Sequence, residues 1–254
     1  MPIVNVKDLI EAGVHFGTNS SLWHPKNAPY IYGKRNQIHV VDVKATIKGL
    51  INAFYYAAKL SKANKTILFV GTKRQAKGVV RDSARAVGMP FVAERWLGGT
   101  LTNFDTIRSS IRRLDQIEER VSRPEYIRES KKIQARDGRE RRRIMRNLEG
   151  VRTMNKLPDA MFVIDPKHEE TAVAEAHRMG IPVIALVDTD TDPTQVNLAI
   201  PGNDDGIRSI QVVTKVIVDA INKGRADSVS ATPVAAPAAA APVAAPASNF
   251  PKAK

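Results

Sequence analysis

Residues 160–187 read AMFVIDPKHEETAVAEAHRMGIPVIALV. Ala160–Ile164 and Pro182–Val187 are short apolar runs rich in β-branched residues, the pattern of buried strands, and His168–Met179 between them spaces its apolar residues as a helix does. The punctuation agrees. Asp165 before Pro166 reads as a helix N-cap followed by a first-turn proline, and Gly180 reads as the stop before the next strand. A strand, a helix and a second strand in immediate succession predict a parallel sheet of the α/β class.

The same alternation extends in both directions. Thr66–Val70 and Ile38–Val43 read as further strands, with a weaker one at Phe91–Ala93, and helices are expected at Ala45–Leu60, Gln75–Val87 and Ile207–Ile221. Thr72 is placed to cap the second of these helices, and Asp204 or Asp205 the third. Between Leu101 and Gly150 the alternation stops. Phe104, Ile107, Ile111, Leu114, Ile117 and Val121 follow steps of three and four, the seam of a packed helix. Pro124 interrupts it, and a second helical stretch, poorer in apolar residues, runs from about Tyr126 to Leu148. A helical hairpin over 102–150 inserted in an α/β domain of residues 1–227 is the predicted organisation. Residues 228–254, mostly Ala and Pro, are expected to be a disordered tail.

Composition narrows the chemistry. With 254 residues the chain can bury a substantial core, and with no Cys it has neither disulfides, nor thiolate metal cages, nor a thiol nucleophile. No apolar run approaches the roughly 20 residues that span a bilayer, and Met1–Asp8 lacks the shape of a signal peptide, so a soluble cytoplasmic protein without a membrane partner is expected. The net charge is +13. It is unevenly placed: residues 1–152 carry 30 Lys+Arg against 14 Asp+Glu, whereas residues 153–254 carry 9 against 12. A basic part joined to a slightly acidic one points to a polyanion as the partner of the basic part.

Four stretches offer contacts for such a partner. Arg139, Arg141, Arg142, Arg143 and Arg146 face only Glu140 within their segment; arginine forks match phosphate oxygens, although a solvated helix face reads the same way. Arg74, Lys77, Arg81 and Arg85 fall within about 80° of one another on the helix that follows Thr66–Val70. The loop His24–Asn36 mixes Tyr30 and Tyr32 with Lys26, Lys34 and Arg35, which suits stacking on RNA bases; for Trp23, Tyr30 and Tyr32 taken singly, core packing is the better reading. Arg95–Asn103, with its paired Gly98 and Gly99, is either a structural corner or a contact loop. Catalytic patterns are missing. The five His residues show no metalloprotease or triad spacing, and there is no P-loop and no Gly-x-Gly-x-x-Gly fingerprint.

Taken in order, AGVHFG (12–17), WHPK (23–26), GTKR (71–74), RWLGGTLTN (95–103), LPD (157–159) and IPGNDD (200–205) closely resemble the bacterial ribosomal protein S two family over residues 5–225. The resemblance implies a flavodoxin-like three-layer domain with a coiled-coil hairpin and no catalysis or cofactor. It further implies small-subunit ribosomal RNA and neighbouring small-subunit proteins as partners, and a share in recruiting ribosomal protein S one for translation initiation. It assigns a contact-loop role to Trp23, Lys26, Lys34 and Arg35 and a basic-edge role to Lys73, Arg74, Arg95 and Asn103. Some family members are able to hold a divalent ion through a second His after the His-Phe-Gly motif together with carboxylates at positions 188 and 204 or 205. Here that His is replaced by Thr18, so no tight zinc is expected, the open alternative being a hard cation held through carboxylate oxygens. The rival expectation is an α/β enzyme holding a nucleotide or phosphorylated metabolite at the carboxyl edge of its sheet.

Overall fold

The computed structural model describes residues 4–230. In chain order the elements are α1 (Val6–Glu11), β1 (Phe16–Asn19), β2 (Ile31–Arg35), β3 (Ile38–Val41), α2 (Val43–Lys62), β4 (Ile67–Val70), α3 (Ala76–Ala86), β5 (Phe91–Val92) and α4 (Phe104–Ser122). They continue with α5 (Lys131–Leu148), β6 (Ala160–Ile164), α6 (Glu170–Arg178), β7 (Val183–Val187), β8 (Leu198–Pro201) and α7 (Ile207–Ser230).

Five strands form one parallel sheet in the order β5-β4-β6-β7-β8. Both faces are covered, which is why its strands read as unbroken apolar runs. Side chains alternate across the sheet: Ile67, Phe69, Phe162, Ile164 and Ile184 pack under α2, α3 and α7, while Leu68, Val70, Met161, Val163 and Ala185 pack under α6, the first turns of α4 and the end of α5. Phe69 and Phe162 are register partners whose rings meet edge to face at 5.5 Å. On the first face α2 and α7 lie so close that a Cβ at Gly224 would stand 2.3 Å from the Ala58 carbonyl oxygen, so only glycine fits there.

The structure corrects several expectations. Ile38–Val43 does not join the parallel sheet: β3 ends at Val41 and forms a separate antiparallel sheet, ordered β1-β3-β2, because the Asp42 side chain accepts the Lys44 N–H and starts α2 there. The β2–β3 hairpin turns on Asn36 and Gln37, both at positive φ, as a two-residue turn demands. Leu198–Pro201, unmarked in the sequence, is the outer strand β8. Thr72 does not cap α3, which begins only at Ala76; the Thr72 N–H instead donates to Glu169 Oε1 at 2.7 Å. Neither Asp204 nor Asp205 caps α7: the Asn203 Oδ1 accepts from the N–H groups of Asp205 and Gly206. α5 starts at Lys131 rather than near Tyr126, since Pro124–Arg128 forms a 3-10 turn. α7 runs on to Ser230, and the expected Ala/Pro tail lies outside the described residues.

Candidate nucleic-acid interface

The carboxyl ends of the parallel strands gather Gly71–Arg74, Glu94–Arg95, Asp165, Asp188 and Gly202–Asp205 along one edge. At its centre the Lys73 ammonium bonds Asp205 at 2.6 Å, Asp204 at 2.8 Å and Asp165 at 3.2 Å. Burial pulls the Lys73 pKa down, but the hydrogen bonds to Asp204 and Asp205 and the attraction of Asp204 and Asp165 outweigh it, so the ammonium is held charged. Burial pushes the Asp188 carboxyl up to about 7, aided by repulsion from Asp190, and burial with repulsion from Asp165 and Asp188 raises Asp204 as well. Asp165 Oδ1 accepts from the N–H groups of Lys167 and His168 within a turn; α6 begins only at Glu170, so Asp165 is not the expected N-cap and Pro166 does not stand in the helix's first turn. A phosphate entering this crevice would meet more carboxylates than cations. The edge is thus an ionic cluster dominated by its own carboxylates, not a cradle for a phosphorylated metabolite.

Beside it lies the N-terminal loop. The Asn27 amide, buried, donates to the backbone carbonyls of Asp188, Thr189 and Thr191, and the His24 N–H donates to the Thr189 carbonyl. These bonds fix the loop against the turn after β7. Lys26 Nζ reaches Asp192 at 2.6 Å and Thr194 at 3.0 Å, and the Lys26 bond holds the Asp192 carboxyl well below the usual range. Trp23 stacks on His39 at 5.5 Å with part of its ring exposed. Tyr32 is no core residue, being 82% exposed on β2, and Lys34 and Arg35 on the same strand are exposed with it.

The open choice at Arg95–Asn103 resolves as a structural corner. Glu175, buried on α6, accepts from Trp96 Nε1 at 3.1 Å, from the N–H of Gly99 at 2.7 Å, and from those of Leu101 and Thr102 at 2.9 and 3.2 Å. Burial alone would raise the Glu175 pKa, but these donors lower it. Arg95 remains exposed at the rim of the corner, and the exposed Asn103 precedes α4 with its side chain bonded to the Thr106 hydroxyl.

Along the hairpin many charges pair across the two helices. Arg141 Nε lies 3.3 Å from Glu118, Arg113 Nε lies 3.3 Å from Glu140, and the fully buried Asp137 takes Arg120. Arg139, Arg142 and Arg143 are exposed and make no ion pair among the described residues. The expected cluster is therefore divided: Arg141 is compensated from α4, and its three neighbours are not.

No group of three or more His, Cys, Asp or Glu residues among the described ones is arranged to hold a metal ion. At the position where the resemblance calls for a nitrogen ligand, the Thr18 hydroxyl is hydrogen-bonded to that of Thr189 at 2.7 Å. These residues do not fit a zinc site.

The structure brings Lys26, Lys73, Arg74 and Arg95 to one edge, sets Trp23, Lys34 and Arg35 beside or within the small sheet, and leaves Arg139, Arg141, Arg142 and Arg143 on α5. Sequence reasoning missed Asn27 and Glu175. An acid on the face of α6 that also presents Ala172 and Ala176 was the available signal for Glu175; nothing marked Asn27.

A family model described as Ribosomal protein S2 matches residues 9–224. The chain is 53% identical over 220 residues to a small ribosomal subunit protein uS2 of Rhodopirellula baltica, covering 87% of this chain and 85% of that protein. It is 48% identical over 234 residues to the protein of the same name from Thermus thermophilus, with 92% and 91% covered. To the one from Coprothermobacter proteolyticus it is 45% identical over 232 residues.

Proposed function

The chain belongs to the ribosomal protein S2 family, and from that premise we propose that it is a structural constituent of the small ribosomal subunit that binds small-subunit ribosomal RNA in the cytoplasm. The family consists of ribosome components and not of enzymes. The rival enzyme reading finds no support at the carboxyl edge, where carboxylates surround Lys73.

The observation that carries RNA binding is the row of uncompensated arginines on α5, Arg139, Arg142 and Arg143, with Arg141 beside them. Guanidinium groups without a protein partner release counterions when they meet phosphates. Arg74, Arg95 and Asn103 extend this surface at the sheet edge, where Lys73 orders the loop that presents Arg74. Trp23, Lys26, Lys34 and Arg35 supply a stacking face and donors on the N-terminal side, with Tyr32 exposed among them.

Two finer readings belong to the same proposal. Counted within the parallel sheet the strand order is 2-1-3-4-5, which supports a flavodoxin-like arrangement. Leu114 and Ile117 are buried yet outside the core under the sheet, which supports a coiled-coil hairpin reaching past it. Contacts with neighbouring small-subunit proteins, and help in recruiting ribosomal protein S one, complete the function proposed.

Titrating small-subunit ribosomal RNA with the full chain across a salt series tests the reading. Replacing Arg139, Arg141, Arg142 and Arg143 by Gln should lower the salt slope by about three to four and weaken binding at least roughly tenfold at low salt, with the fold retained. Salt-independent binding, or a variant that binds as the parent does, would contradict it.

A further inference from the structure

The two basic rows come from distant parts of the chain. One runs through Arg74, Lys77, Arg81 and Arg85 beside and along α3; the other through Arg139, Arg142, Arg143 and Arg146 on α5. At 1.5 Å per residue the first covers about 17 Å, leading away from the carboxyl edge, and the second about 10 Å. They meet at a cavity of about 130 Å3 whose lining includes Arg81, Phe91, Glu94, Arg146, Glu149 and Gly150. Gly150 permits the meeting. A Cβ there would lie 2.1 Å from the Phe91 carbonyl oxygen, so no other residue lets the end of α5 pass this close to the edge strand β5.

Charge pairing at the cavity is incomplete in a specific way. Glu94 accepts from Lys77 Nζ at 3.0 Å and Glu149 from Arg85 Nη2 at 2.7 Å, so both acids are engaged by other cations. Arg81 meets only its exposed neighbour Asp82, at 3.6 Å, and Arg146 has no ion pair among the described residues. Two guanidinium groups lining so small a space repel each other, and an anion between them turns that repulsion into attraction.

We propose that Arg81 and Arg146 together seat one phosphate of small-subunit RNA, joining the α3 and α5 rows into a single track for one RNA backbone from Arg74 to Arg139. The proposal rests on the RNA-binding reading above and adds to it the path of the strand and the two residues at its bend. Arginine suits the position because its planar fork meets two phosphate oxygens at once.

The test uses the full chain and small-subunit ribosomal RNA, with R81Q, R146Q, the double variant, and R178Q as a control, an exposed arginine at the end of α6 that belongs to neither row and does not line the cavity. Each single variant should bind roughly three- to tenfold more weakly, with the salt slope smaller by about one. The double variant should lose less than the product of the two single losses, because one phosphate serves both residues. R178Q should bind as the parent does. Thermal melting of each variant establishes that it is folded. Parental binding by R81Q and R146Q while the α5 quadruple variant is weakened would overturn the track and leave RNA binding standing. So would single losses that multiply, or an equal loss in R178Q. Normal binding of naked RNA with impaired binding to assembled subunits would put an acidic protein at the junction and refute the proposal. Absence of salt-dependent binding by the parent would remove the RNA reading itself.

Discussion

Glu175 shows how one side chain decides what a loop is. Its carboxylate gathers three backbone N–H groups and an indole N–H from Trp96–Thr102, donors that the corner buries wholly at Leu101 and partly elsewhere. Replacing it with Gln turns an NH2 group toward some of these donors, and the expected loss is about 3 kcal/mol of unfolding free energy in urea titration at neutral pH. Parental stability would contradict this account of the corner. Because the folded pKa lies below that of the unfolded chain, near 4.3, the carboxylate's contribution is complete above that value. It is lost as pH falls through the folded pKa, since the unfolded state then binds the proton more readily. Trp96 emission, followed in a Trp23→Phe background, should therefore shift in acid, and the shift should disappear in the Gln variant. Thr18 carries a second prediction at this scale. With its hydroxyl bonded to Thr189 and no nitrogen ligand in its place, purified protein should contain no stoichiometric zinc by elemental analysis. One zinc per chain would overturn that.

Among the elements, the α4–α5 pair depends on a buried charge. Asp137 is 0% exposed between the helices and paired with Arg120, while Ile107, Ile111, Leu114 and Ile117 supply the apolar seam. Removing the carboxylate alone leaves a half-buried guanidinium uncompensated, which costs about 3–5 kcal/mol. Asp137→Ala should thus reduce hydrogen-exchange protection of the Leu114 and Ile117 amides by roughly a hundredfold or more. Arg120→Met with Asp137→Leu should restore it. Unchanged protection in Asp137→Ala would show that the pair does not hold the helices together. The seam on α4 was legible from its steps of three and four, whereas α5 was legible as a helix but not by a seam of its own, because it buries an acid and few apolar residues. Similarly, β6 and β7 declared themselves as apolar runs buried on both faces. β8 did not, since Leu198 and Ala199 are only half-buried and Pro201 ends the strand. Ile38–Val41 has the residues of a strand, but local composition does not say which sheet it joins; Asp42, by starting α2, decides that.

Over the whole molecule, charge is sorted by position. The basic part, residues 1–152, contains α3, the hairpin and the N-terminal loop, and the acidic part supplies Asp165, Asp188, Asp204 and Asp205 at the sheet edge. That sorting was readable in the sequence, and so was the α5 arginine cluster. The carboxylates around Lys73 were not, because three loops separated by up to about 130 residues converge on one ammonium. Nor was the convergence of Arg81 and Arg146, which depends on how closely Gly150 lets α5 approach β5. The resulting molecule presents cations outward along α3 and α5 and fills with carboxylates the crevice where an α/β enzyme would bind its ligand. Such a surface belongs to a member of a ribonucleoprotein particle, and sedimentation decides whether the chain is one. On a sucrose gradient run in high salt, the tagged chain expressed in bacterial cells should travel with the small ribosomal subunit; recovery of the chain only in the light fractions, with the subunits free of it, would contradict the account.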